Sequence, residues 1–132
     1  MTDDTTTVAD LRATIAKFVA EREWEPFHSP KNLAISLAIE AAELMEHFQW
    51  LTIDESRAIA NDSAKRAAAG EELADVLAYL LAMANALHLD VSATFQSKLA
   101  KNAEKYPVDL SRGRHERPDL TKRMHSPGRI GQ

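Results

Sequence analysis

From Leu73 to Leu89 a single side chain, Asp75, carries a charge, and no other stretch limits the folding choices of this chain as much. Projected at 100° per residue, Leu73, Val76, Leu80, Met83 and Leu87 form one stripe, while Leu77 and Leu81 lie off it, so the predicted helix is apolar nearly all round. Such a helix has to be covered on most of its sides. A chain of 132 residues that is 45% hydrophobic can build one domain with a core, but can hardly cover this helix unaided. A homo-oligomer, dimer or tetramer, is therefore expected. Asp75, Asn85 and His88 within the run, and Glu71 and Glu72 just before it, mark a core helix rather than a membrane span, and no membrane partner is expected.

The remainder reads as helix too. Alternating β-branched and aromatic runs do not occur, whereas Ala, Leu, Glu and Lys recur at helical spacing, so the fold class is all-α, a bundle of four to five helices. A first helix is expected from about Val8 to Glu23 with Thr7 as its cap, interrupted by Pro26. Ser29-Pro30 starts a second, running to about Leu51, with Leu33, Leu37, Leu44, Phe48 and Leu51 as its apolar stripe. Thr52 and Glu55 fit a capping box for a short third segment. The polar Asn61-Asp62-Ser63 precedes the long apolar helix, whose proper start is expected at Glu71 because Gly70 costs about 1 kcal/mol relative to alanine; its end is expected near His88. A last helix, capped by Asp90 or Ser92, should reach Tyr106 before Pro107. The domain reading is one helical domain over 1–110 and a basic, flexible tail over 111–132.

That tail carries six Lys or Arg against two acids, and since the whole chain has a formal charge of -4, the part before it is near -8. Such a body does not suit phosphate-backbone contacts, and no stable nucleic-acid partner is expected. With no cysteine there is neither a disulfide framework nor a thiolate metal site, which together with an acidic, threonine-rich start leads to a cytoplasmic expectation.

Two acid pairs carry the candidate chemistry. Glu40 and Glu43 stand three apart on the second helix, and Glu72 and Asp75 three apart on the fourth, so each pair leaves one helix face together. Either pair alone fits an ordinary solvated helix edge. Both border apolar stripes, however, and if those stripes pack, four carboxylates converge and repel unless a cation sits among them. Mg²⁺, a hard ion that takes oxygen ligands and bridges carboxylates to phosphates, suits that set. No cysteine and no histidine is expected at ligand spacing beside these acids, which argues against zinc. Glu46 and Glu71 lie close by and serve either as accessory groups or as solvent-facing side chains.

The segments Trp24-Glu-Pro-Phe-His28, Pro30-Lys-Asn-Leu33, Glu40-Ala-Ala-Glu43, Glu46-His-Phe-Gln-Trp50, Glu72-Leu-Ala-Asp75 and Ser97-Lys98 with Asn102 and Tyr106-Pro107, in this order, resemble the MazG-like nucleotide pyrophosphohydrolases, above all the dCTP pyrophosphatase branch. The resemblance covers about Leu11 to Asp109. It implies a helical, oligomeric enzyme with Mg²⁺ as cofactor, held by Glu40, Glu43, Glu72 and Asp75. It implies a base and sugar pocket lined by Trp24, His28, Trp50 and Tyr79, and phosphate contacts from Lys98, Asn102 and Tyr106. One departure is Ile15, which stands where the similar animal enzymes have a histidine contact, so base choice stays open. Read by themselves, Lys98, Asn102 and Tyr106 place a cation, an amide and a phenol on one helix face, which fits a polyanion and equally fits an amphipathic edge. The two tryptophans suit either stacking or a core.

The expected reaction is metal-assisted attack of water on the α-phosphorus of a dCTP-like nucleoside triphosphate, expelling pyrophosphate, with Glu43 as the general base. The alternatives are other nucleotides, such as dUTP or modified bases, or a non-catalytic helical interaction module.

Overall fold

Four side-chain caps decide where the helices begin. The Thr7 hydroxyl accepts from the Asp10 backbone N–H (3.1 Å) and the Asp10 carboxylate accepts from the Thr7 N–H (2.8 Å), starting α1, Val8–Ala20. Ser29 accepts from the Asn32 N–H and is followed by proline at the first helical position, starting α2, Pro30–Glu46. Thr52 and Glu55 form the expected reciprocal pair at the start of α3, Ile53–Ala58. Asp62 caps α4, Ser63–Ala86. Single 3₁₀ turns occupy Glu25–Phe27 and Ile59–Asn61. Two further helices are α5, Val91–Lys105, and α6, Val108–Ser111.

This computed structural model describes residues 1–121, among which no strand occurs; the expectation for the tail beyond Thr121 lies outside the described residues. The chain divides into one compact unit of Met1–Val91 and a second that begins at Ser92. In the first, α4 is the central element, packing most extensively on α2 and then on α1. Residues 41–48 of α2 share a groove with residues 66–73 of α4, and Tyr79 lies by His28, ahead of α2, so the two helices run antiparallel. No single helix among the described residues is long and apolar enough to cross a membrane.

Several boundaries differ from expectation for local reasons. Helix α2 ends at Glu46 rather than Leu51 because 47–51 tighten into short turns, with Phe48 donating to Met45 and Leu51 to Phe48, ahead of the Thr52 cap. Helix α4 starts at Ser63, not Glu71: the Asp62 cap and the alanines at 67–69 outweigh the cost of Gly70, about 1 kcal/mol, and nothing crowds that glycine. The expected α4 stripe is also displaced. The chain buries Leu81, Ala82 and Ala84, while Leu73, Leu77, Leu80 and Leu87 stay between 40% and 58% exposed. A helix apolar on every side has no strong preferred face, and the small alanines are where neighbouring helices come closest.

Helices α1 and α4 end alike. Trp24 donates back to Val19 and Leu89 to Ala84, and the residue before each, Glu23 and His88, has a positive φ of 52° and 53°. Glycine is the usual occupant of this position in such a helix ending. Glu23→Gly and His88→Gly are each expected to raise stability by up to about 1 kcal/mol, read as a higher urea midpoint.

Candidate metal centre and aromatic pocket

Because α2 and α4 run antiparallel, Glu40 and Glu43 meet Glu72 across the seam. Oxygens of these three side chains lie within 4.8 Å of one another. Asp75, one step further on α4 and exposed, adds its charge to the field at Glu40. Burial first, then the charge and hydrogen bonding of Glu43, and then Asp75 and Glu72, hold the Glu40 carboxyl above the ordinary glutamate range. Among the described residues no lysine or arginine pairs with any of the four.

The donor set fits a hard divalent ion. Every oxygen comes from a carboxylate, and three of them lie within 4.8 Å of one another, near enough for a single ion that takes oxygen ligands at about 2.1 Å to draw them together. One expectation needs correction, since a histidine does stand beside the acids. His47, four residues after Glu43, places Nε2 3.5 Å from a Glu72 oxygen. The four-residue spacing put it on the carboxylate face, and that spacing was the signal available in the sequence.

The repulsion has a measurable consequence. A carboxyl raised in the folded chain holds its proton more tightly there than in the unfolded chain. Its contribution to stability is therefore fully present below the ordinary value of 4.5 and is lost as the pH rises through the raised one. In EDTA, Glu40→Gln should melt with the wild type near pH 4 and above it near pH 7. Equal melting at both, by scanning fluorimetry, would show that the acids do not repel in the metal-free fold.

Beside the acids runs a series of rings. Phe18 meets Trp24 edge-on at 5.9 Å between centroids, Trp24 meets His28 at 6.3 Å, and His28 meets Tyr79 at 6.4 Å. The Arg22 guanidinium lies 3.6 Å over Phe18 and closes the outer end. The left-handed turn at Glu23 swings Trp24 back along α1, and the 3₁₀ turn at Pro26 delivers His28, with Asn32 holding the Phe27 carbonyl. Tyr79 stands one helical turn after Asp75 on α4. Next to His28 opens a cavity of about 460 Å³, lined mainly by Ile15, Val19, Ala82, Asn85 and Glu25. Asn85 is fixed there: it accepts from Arg12 Nε (2.9 Å) and donates to the Arg12 carbonyl (3.1 Å). Asn85 had no local sequence signal, because it acquires its partner only through the packing of α1 on α4, whereas Phe18 and Arg22 stand four residues apart and that spacing was the signal for their contact.

The other expected site residues are Trp50 and three residues of the second unit. Trp50, 87% exposed, joins no ring contact among the described residues. Lys98, Asn102 and Tyr106 belong to the second unit, on one face of α5, with Asn102 half-buried and the other two exposed.

Comparison with known proteins identifies the family. A sequence model of the family described as MazG-like matches residues 35–117. The dCTP pyrophosphatase 1 of Rattus norvegicus is 47% identical over 107 residues, 81% of this chain and 63% of that protein. The dCTP pyrophosphatase 1 of Homo sapiens is 43% identical over 106 residues, 80% of this chain and 62% of that protein. The chain thus spans under two thirds of the length of these curated relatives. A pyrophosphatase from Archaeoglobus fulgidus has a similar solved structure, with a TM-score of 0.71 and 34% identity over 81% of this chain and 98% of that one.

Proposed function

Since this chain belongs to the MazG-like family, we propose that it is a Mg²⁺-dependent nucleoside triphosphate pyrophosphohydrolase that converts dCTP-like nucleotides to monophosphate and pyrophosphate. The observation that carries the reading is the meeting of Glu40, Glu43 and Glu72 within 4.8 Å, with a ring series able to receive a base ending at Tyr79, seven residues along α4 from Glu72. The name of the curated relatives, dCTP pyrophosphatase 1, supports the choice of substrate.

In this reading Mg²⁺, held by Glu40, Glu43, Glu72 and Asp75, supplies charge neutralisation for the triphosphate and activates water. Glu43 accepts the proton of the water that attacks the α-phosphorus, because it is exposed beside the half-buried Glu40 and open to substrate. Trp24, His28 and Tyr79 hold the base by stacking and edge contacts, and Trp50 needs a second wall to contribute. Lys98, Asn102 and Tyr106 are assigned to the phosphates. The apolar Ile15 in the cavity wall favours a second reading on base choice, with acceptance of dUTP or modified pyrimidines as well.

The test is a hydrolysis assay across the deoxy and ribose triphosphates, with and without EDTA, in which the products are identified. Pyrophosphate and monophosphate, formed from dCTP only with magnesium, are expected. Orthophosphate release, or no turnover of any nucleotide, would overturn the assignment.

A further inference from the structure

The acid cluster has one polar neighbour that the proposed reaction does not use. His47 ends α2, with its backbone N–H turned back to the Leu44 and Met45 carbonyls, and its Nε2 lies 3.5 Å from Glu72 Oε1. The two side chains are only 33% and 24% exposed, so this contact is more sheltered than the cluster's outer acids. It also joins the two helices at the point where the carboxylates meet.

Glu72 is the acid for which this matters most. Glu40 and Glu43 leave the same helix and lie together, whereas Glu72 is the α4 acid that comes within 4.8 Å of both, into a region of like charge. A donor on one of its oxygens opposes that repulsion. It also restrains the plane of the carboxylate, whose second oxygen needs no part in that contact. Carboxylate ligands of metal sites are commonly held by such outer hydrogen bonds.

We propose that His47 is a positioning residue, which donates from Nε2–H to Glu72 and presets that carboxylate for the divalent ion. This rests on the metal-dependent reading above. At 3.5 Å the contact is longer than a formed hydrogen bond, so the donation needs a small turn of either side chain to complete it.

The experiment compares the wild-type chain with His47→Leu and His47→Gln, titrating Mg²⁺ alone by calorimetry and melting each protein in EDTA. Leucine removes the donor, and the glutamine amide keeps one at similar reach. His47→Leu should weaken Mg²⁺ binding by about 10- to 100-fold. His47→Gln should restore most of that affinity, and the three metal-free proteins should melt together. Wild-type affinity in His47→Leu, or an equal loss in His47→Gln, overturns the positioning role while leaving the metal-dependent reading in place. A lower metal-free melting temperature in His47→Leu that accounts for its weaker binding also overturns it, in favour of plain packing. A wild-type chain that takes up no magnesium overturns the metal-dependent reading itself.

Discussion

Glu43→Gln and Asp75→Asn should each lower the rate of pyrophosphate release from dCTP by about 10²- to 10⁴-fold, with far-ultraviolet circular dichroism unchanged. Both side chains are exposed, Glu43 within the acid cluster and Asp75 one step along α4 from it, so neither replacement removes packing. The amides keep the shape and lose the charge. Glu43→Gln removes the group assigned to receive the proton, and its loss should appear in kcat. Asp75→Asn weakens the hold on the ion, and part of its loss should return at high magnesium. Near-normal turnover in both variants would mean that the chemistry lies elsewhere.

The second large effect concerns assembly. Leu73, Leu77, Leu80 and Leu87 leave a stripe on α4 at alternating four- and three-residue steps, with the buried Ala84 in the remaining place, and that spacing suits the seam of a partner helix. We expect the protein to be a homodimer or homotetramer that covers this stripe. Leu77→Glu combined with Leu80→Glu should halve the mass seen by light scattering, or reduce it further, because two charges buried in an apolar interface cannot be paired there. Monomeric wild-type protein, or an oligomer indifferent to both substitutions, would show that the stripe is not the interface.

Local signals were readable in the sequence and tertiary ones were not. The caps at Thr7, Ser29 and Thr52 depend on side chains and backbone groups three residues apart, so the order of the residues states them outright. The acid pairs were legible in the same way, since a three-residue step on a helix puts two side chains on one face whatever surrounds it. Their meeting depended on α2 and α4 packing against each other. By contrast, the buried face of α4 was misjudged because leucines point in every direction around it, and periodicity cannot choose among equivalent faces. Gly70 was overweighted for a related reason, as its intrinsic cost is small beside a cap and three alanines. The contact between His47 and Glu72 joins two helices, and one helix's pattern does not contain it.

The unequal settings of the only two tryptophans give the protein a built-in optical probe. Trp24 lies against Phe18 and His28, whereas Trp50 stands almost wholly in water. Iodide should therefore quench chiefly the red-shifted emission of Trp50, and the bluer component left behind comes from the ring next to the cavity. A nucleobase that settles on that ring will dim this component alone, so ligand occupancy can be followed without a label and without turnover.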